Sequence, residues 1–267
     1  MISPLPKPHL IVPRPFPGPK LKRLPKGPRP MTLVAAFRCH KGGLLLCADR
    51  EENYGDVKRE IDKIFQIDLP SLQVFIAGSG PSSVINQACL EIRHGLTLAF
   101  AEGKDMVREH KPLIEDTLKS INKRYAANLK NWPLGLIVIF APFDRSMVPL
   151  LYRTELSMMV SEPLYVGYGA GKALCDYLAD RLYGDVYERL DDCTLLAVAA
   201  FIFREVEHSV GGVGLGVDMM FIREGSPLGM KFGKHHVKAI QDKIPPLGDC
   251  IFPCWKDSVS IPAELIP

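Results

Sequence analysis

The sequence predicts a mixed α/β (α+β) chain in which two β-sheets pack face to face with helices outside each, a four-layer α/β/β/α sandwich. Three observations lead there. Short runs, continuously apolar as buried strands are, come in pairs around polar or Gly- and Pro-containing turns. Two pairs of longer segments carry apolar residues at three- and four-residue steps. The order along the chain is strands, helix pair, strands, helix pair, strand.

The first pair of strands is Thr32-Leu-Val-Ala-Ala-Phe37 and Gly43-Leu-Leu-Leu-Cys-Ala-Asp49, around a polar turn at Arg38 to Lys41. The second is Lys63-Ile-Phe-Gln-Ile67 and Leu72-Gln-Val-Phe-Ile-Ala77, joined by the turn-forming Asp68-Leu-Pro-Ser71. From Pro81 to Glu102, Val84, Ile85, Cys89, Ile92, Leu96 and Phe100 trace one helical face, with Ser82 and Ser83 near its start. A second helix is expected over residues 111–129, with Pro112 in its first turn, where a missing N–H costs nothing. Residues 134–140 and 147–152 read as another hairpin, residues 171–183 and 189–208 as two more helices, and residues 211–222 as a closing strand. Gly167-Tyr-Gly-Ala-Gly171-Lys172 does not fit a phosphate-binding loop, because Ala173 stands where a Ser or Thr would hold magnesium.

Three segments follow from composition. Residues 1–31 form a Pro-rich basic leader, a propeptide or a misassigned start: the first 30 residues hold ten prolines, seven Lys or Arg and no acid. Such a segment forms neither helix nor sheet ladder and is expected to be extended or disordered. The net charge of +3 therefore becomes 3 − 7 = −4 without it. Residues 32–232 make one domain, and residues 233–267 an irregular C-terminal tail rich in proline.

With 47% hydrophobic and 24% charged residues, the chain has the composition of an ordinary globular protein. It contains no apolar run long enough to span a membrane and no secretory signal, so a cytoplasmic protein without membrane contact is expected. The seven cysteines, odd in number and several within apolar runs, read as reduced thiols. Cys250 and Cys254 near His235 and His236 lack a second matched pair, and no metal or other cofactor is expected. The basic leader has one aromatic residue, Phe16, too little stacking surface to argue for nucleic acid.

Thr32-Leu-Val-Ala-Ala-Phe37, Cys47-Ala-Asp49, Asp62-Lys63-Ile-Phe-Gln-Ile67 and Ala77-Gly78 together resemble the opening of a proteasome β subunit or its bacterial relatives. Val166-Gly167-Tyr168-Gly169 and Val210-Gly211-Gly212 extend the resemblance weakly, to cover residues 32–222. It implies an N-terminal-nucleophile (Ntn) hydrolase in which Thr32 attacks a peptide carbonyl. A threonine hydroxyl is a poor nucleophile until a base takes its proton, and a free α-amino group on the same residue, with a pKa of about 8, is such a base. By the same resemblance, Lys63 acts in the proton shuttle, Asp49 orients Lys63, the Gly78 N–H stabilises the oxyanion and Ile76 lines a substrate pocket. Glu207 and Ser209 complete the catalytic set. The chain departs from the family where a serine is expected at Tyr168, an aspartate at Glu207 and a serine at Val210, one position from Ser209.

Thr32 must be N-terminal for this chemistry, yet Pro30-Met31 precedes it. Translation from Met31, followed by loss of the initiator methionine, would expose it. The resemblance further implies polypeptide substrates, a homo-oligomeric ring and an ATP-dependent unfoldase partner. The alternative is a catalytically inactive subunit with a structural or assembly role.

Overall fold

Strands β1 (Leu33–Arg38) and β2 (Leu44–Asp49) form the first hairpin and the middle of a sheet. We describe them in a computed structural model that covers residues 32–244 apart from 55–56, 131–132, 145, 163, 225 and 227–228. The leader and residues 245–267, with Cys250 and Cys254, lie outside the described residues. A short hairpin follows, β3 (Glu51–Tyr54) and β4 (Val57–Glu60), then β5 (Ile64–Leu69) and β6 (Leu72–Ser79). Helices α1 (Ser82–Ala101), α2 (Met106–Arg124) and the single turn α3 (Ala126–Leu129) lead to β7 (Gly135–Pro142), β8 (Leu150–Glu155), β9 (Met158–Ser161) and β10 (Tyr165–Gly169). Then come α4 (Lys172–Leu182), a 3-10 turn, α5 (Asp192–Ser209), β11 (Val217–Ile222), β12 (Met230–Phe232) and α6 (Lys234–Gln241).

The chain is thus mixed α/β, with antiparallel sheets and, among the described residues, six α-helices. One five-stranded sheet has the order β10-β1-β2-β11-β12, the other β5-β6-β7-β8-β9, and β3 with β4 stands apart. The continuously apolar strands have a physical explanation in their alternation. Leu33, Ala35 and Phe37 of β1 join α4, α5 and α6 in one core, whereas Val34 and Ala36 meet Phe75, Ala77, Ile137 and Ile139 of the second sheet in another. Val74 and Ile76 of β6 face a third core with Val84, Ile85 and Ala88 of α1 and Ile114, Leu118 and Ile121 of α2. Burial on both faces removes the need for polar residues at every second position.

Four local readings change. Helix α2 starts at Met106, where the Asp105 carboxylate accepts the Val107 N–H at 3.0 Å, and Pro112 therefore lies in its second turn. The last strand begins only at Val217, because Gly212, Leu215 and Gly216 have φ of 88°, 59° and 96° and turn the chain through the left-handed region. Residues 165–169, given no element of their own in the sequence reading, pair along β1 as β10. The tail is not irregular from residue 233, since α6 buries Val237 and Ile240 against the α5 core and the Gln241 amide donates to the Ala200 carbonyl at 3.1 Å. Eight residues with two apolar anchors are too short a period to stand out beside the prolines that follow.

Candidate functional site

Thr32, Asp49 and Lys63 come together where three strands begin or end. Thr32 precedes β1, Asp49 closes β2, and Lys63 precedes β5. All three side chains are buried. The Thr32 hydroxyl donates to Asp49 Oδ1 at 2.6 Å and accepts from Lys63 Nζ at 2.5 Å. Lys63 Nζ also donates to Asp49 Oδ1 at 2.8 Å and to the Glu51 carbonyl at 2.5 Å, which engages all three of its protons. Asp49 accepts further from the Leu33 N–H at 2.9 Å through Oδ1, and from the Glu51 and Gly214 N–H groups at 3.3 and 3.4 Å through Oδ2.

Burial dominates the electrostatics. Desolvation draws Lys63 below the ordinary lysine range, with Asp49 opposing, and pushes Asp49 upward against Lys63, the Thr32 hydroxyl and the Leu33 N–H. A lysine so placed releases its proton more readily than a surface lysine, two and a half ångströms from a hydroxyl. The arrangement links the lysine nitrogen, the Thr32 hydroxyl and the Asp49 carboxylate by direct hydrogen bonds.

The backbone at Thr32 is fixed from the β10 side. Gly169 has φ of 110°, and a Cβ there would lie 1.9 Å from the Thr32 carbonyl oxygen, so no other residue lets β10 pass this close. The remaining predicted site residues are placed differently. Gly78 lies on β6 one step beyond the Ile64–Ala77 pair, level with Lys63. Its missing side chain is explained by packing, because a Cβ would come within 2.8 Å of Leu136 and 2.9 Å of Ile85. Ile76 is wholly buried in the core beneath α1 and α2. Ser209 is exposed at the end of α5. Glu207 is half-buried on α5, and its Oε1 and Glu51 Oε2 each lie 3.1 Å from where a Cβ on Gly214 would stand. Burial raises its carboxyl above the usual range, with the negative charges of Asp49 and Glu51 adding to the rise and His208 and Lys238 opposing it. The bulk of Tyr168 is absorbed against Gly135, and its hydroxyl donates to the Thr154 carbonyl.

The overall shape has known counterparts. They include Anbu proteins. A structure titled Anbu (ancestral beta-subunit) from Yersinia bercovieri is similar with a TM-score of 0.66 and 14% identity, over 79% of this chain and 92% of that one. An Anbu (Gly-1) mutant from Hyphomicrobium sp. strain MC1 gives 0.65 and 13%, over 79% and 93%. A structure titled as the helical assembly of the Anbu complex from Pseudomonas aeruginosa gives 0.64 and 14%, over 87% and 99%. No family model and no curated sequence matches the chain. These likenesses correct the resemblance drawn from the sequence: the neighbours are ancestral beta-subunits, related to the proteasome but distinct from its β subunits. At such identity the likeness is one of fold and does not make the chain an Ntn hydrolase.

Sequence reasoning missed Glu51, Gly214 and Gly169. Glu51 contributes through a carbonyl, which side-chain chemistry does not reveal. The signal for Gly214 was the run of glycines over residues 211–216. Among the described residues, no group of three His, Cys, Asp or Glu side chains is placed to hold a metal ion, and no helix is long and apolar enough to cross a membrane.

Proposed function

We propose that the protein is a threonine peptidase of proteasome-related fold, with Thr32 as nucleophile and Lys63 as its proton partner. The observation that carries this reading is the three-way contact of Thr32, Lys63 and Asp49, with every proton of the buried lysine directed at an acceptor. A lysine kept this dry is costly unless paired, and a surface hydroxyl would serve β1 equally well as a structural residue.

In this mechanism Thr32 Oγ1 attacks the substrate carbonyl while its proton passes to the neutral α-amino group of a free Thr32, or to Lys63 once Lys63 has given up one of its three protons. The Gly78 N–H bonds the oxyanion. The tetrahedral intermediate collapses to an ester on Thr32, the amine product leaves with the proton, and water hydrolyses the ester. Glu207 faces the same loop as Asp49 and bonds the Thr32 ammonium once it is free; Ser209 supports it from the end of α5. Ile76 backs the site from within the core beneath α1 and α2.

The three apolar cores support an α/β/β/α layering. The helical assembly named in the Pseudomonas aeruginosa structure supports a homo-oligomer; in this reading it is a ring or a related arrangement that acts on polypeptides in the cytoplasm with an ATP-dependent unfoldase. The test is treatment with a β-lactone followed by peptide mapping: an adduct on Thr32, absent from Lys63→Ala with the oligomer intact, is expected. A wild-type protein that forms none is the inactive scaffold instead.

A further inference from the structure

We propose that Arg50 is a positioning residue, which clamps the segments carrying Asp49, Lys63 and Gly214 together so that Lys63 meets the Thr32 hydroxyl; this rests on the peptidase reading. Arg50 stands between Asp49 and Glu51, and both neighbours accept from Lys63 Nζ, at 2.8 and 2.5 Å. Its own N–H is shared between the Gly214 and Gly216 carbonyls at 3.2 and 3.0 Å, and its carbonyl accepts from the Ile61 N–H at 2.9 Å. The main chain of one residue thus ties the loop that bonds Asp49 to the segment that delivers Lys63.

The side chain repeats the connection. Arg50 Nε pairs with Glu60 at 3.0 Å, and Nη1 with Asp62 at 2.5 Å and with Asp218. Asp62 is the residue before Lys63, and Asp218 lies on β11 opposite Ala48, the residue before Asp49. Lys234 completes the group on Glu60 at 2.6 Å, and Lys231 stands 3.6 Å from Asp62 and 3.9 Å from Asp218. Asp218 is 1% exposed, and its Oδ1 is the one buried side-chain polar atom without a hydrogen-bond partner among the described residues. Burial pushes its carboxyl up against the pull of Arg50 and Lys231, so the charge of Asp218 depends on the guanidinium. A plain structural ion pair requires one such contact, whereas Arg50 binds acids from β4, the Lys63 segment and β11 at once.

The consequence is geometric. Lys63 reaches three acceptors within 2.5 to 2.8 Å, and release of residues 60–63 from Arg50 lets its ammonium retreat toward water. A displacement of about 1 Å at such a site lowers the rate by roughly 100-fold.

The experiment uses the natively produced protein labelled with 15Nζ-lysine, and Arg50→Ala, Arg50→Lys, Asp218→Asn and the distant control Arg124→Ala. Two quantities are read: the titration of Lys63 Nζ, assigned with Lys63→Arg, and the rate of β-lactone acylation at Thr32. Arg50→Ala is expected to move the Lys63 titration up toward the ordinary lysine value and to slow acylation by about 10- to 100-fold. Arg50→Lys and Asp218→Asn should give smaller shifts in the same direction, and Arg124→Ala none. A folded Arg50→Ala with wild-type titration and rate overturns the proposal; if that variant does not fold, wild-type behaviour of both Arg50→Lys and Asp218→Asn overturns it. A wild type that is never acylated defeats the peptidase reading alone, and the titration then decides the positioning role.

Discussion

At the scale of single residues, Thr32 and Lys63 have separable consequences. Lys63 balances a wholly buried Asp49, so Lys63→Ala leaves a carboxylate supported by neutral donors and should destabilise the fold by about 3 kcal/mol. Thr32→Ala removes one hydroxyl donor and should cost about 1 kcal/mol. Both should lower acylation at position 32 beyond detection or by about 100- to 10,000-fold, whereas Thr32→Ser should react and unfold near the wild-type midpoint. Urea unfolding beside adduct mass spectrometry separates the two effects. A Lys63→Ala protein as stable as Thr32→Ala would show that the buried ion pair is not what holds Asp49. Much of this cluster was legible in the sequence through the resemblance carried by Thr32, Cys47-Ala-Asp49 and Asp62-Lys63 in that order, although each residue alone reads as an ordinary polar strand end. The contacts made by main chain, the Glu51 carbonyl and the Gly214 N–H, were not, since any residue type supplies them.

At the scale of elements, the glycines of β6 and β10 differ in kind. An alanine at position 78 meets the ends of two flexible side chains, Leu136 and Ile85, and should cost about 1–3 kcal/mol. An alanine at position 169 meets backbone, the Thr32 carbonyl, at a φ of 110°, so Gly169→Ala should be the more destabilising and should also displace Thr32. Denaturant midpoints rank them, and equal midpoints would refute the distinction. Helix α2 carries a pH-sensitive contact. His110 is stacked on Phe140 at 3.9 Å with Nδ1 on the Met106 carbonyl, and burial holds its pKa below the ordinary 6.5. Protonation therefore favours the unfolded chain: the stability is present above pH 6.5 and is lost as pH falls below it. The stability difference between wild type and His110→Gln should shrink below that pH by up to about 1.4 kcal/mol per unit. A difference independent of pH between 7 and 5 would contradict it. The long apolar runs and helical periods made β1, β2, β5 to β8, α1, α4 and α5 readable. Strands β3 and β4 were not, because Glu51–Tyr54 and Val57–Glu60 pair with each other outside both main sheets, and β4 is exposed along its whole length.

At the scale of the whole molecule, the order of elements was enough to indicate a mixed α/β chain with antiparallel sheets, since strands joined by tight turns leave little other choice. Family was harder to read than fold. The motifs around Thr32, Asp49, Lys63 and Gly78 are short, and the Anbu structures at 14% identity share the fold alone with this chain. The chemistry proposed for this fold depends on one covalent fact, whether the bond between Met31 and Thr32 is intact in the natively produced protein. Only a free Thr32 brings an α-amino group to its own hydroxyl, beside Lys63. Intact mass and N-terminal sequencing of the natively expressed protein, before and after β-lactone, test this most directly. The account predicts a chain that begins at Thr32 and gains one β-lactone there; a mature chain that still carries residues 1–31 and gains none would contradict it.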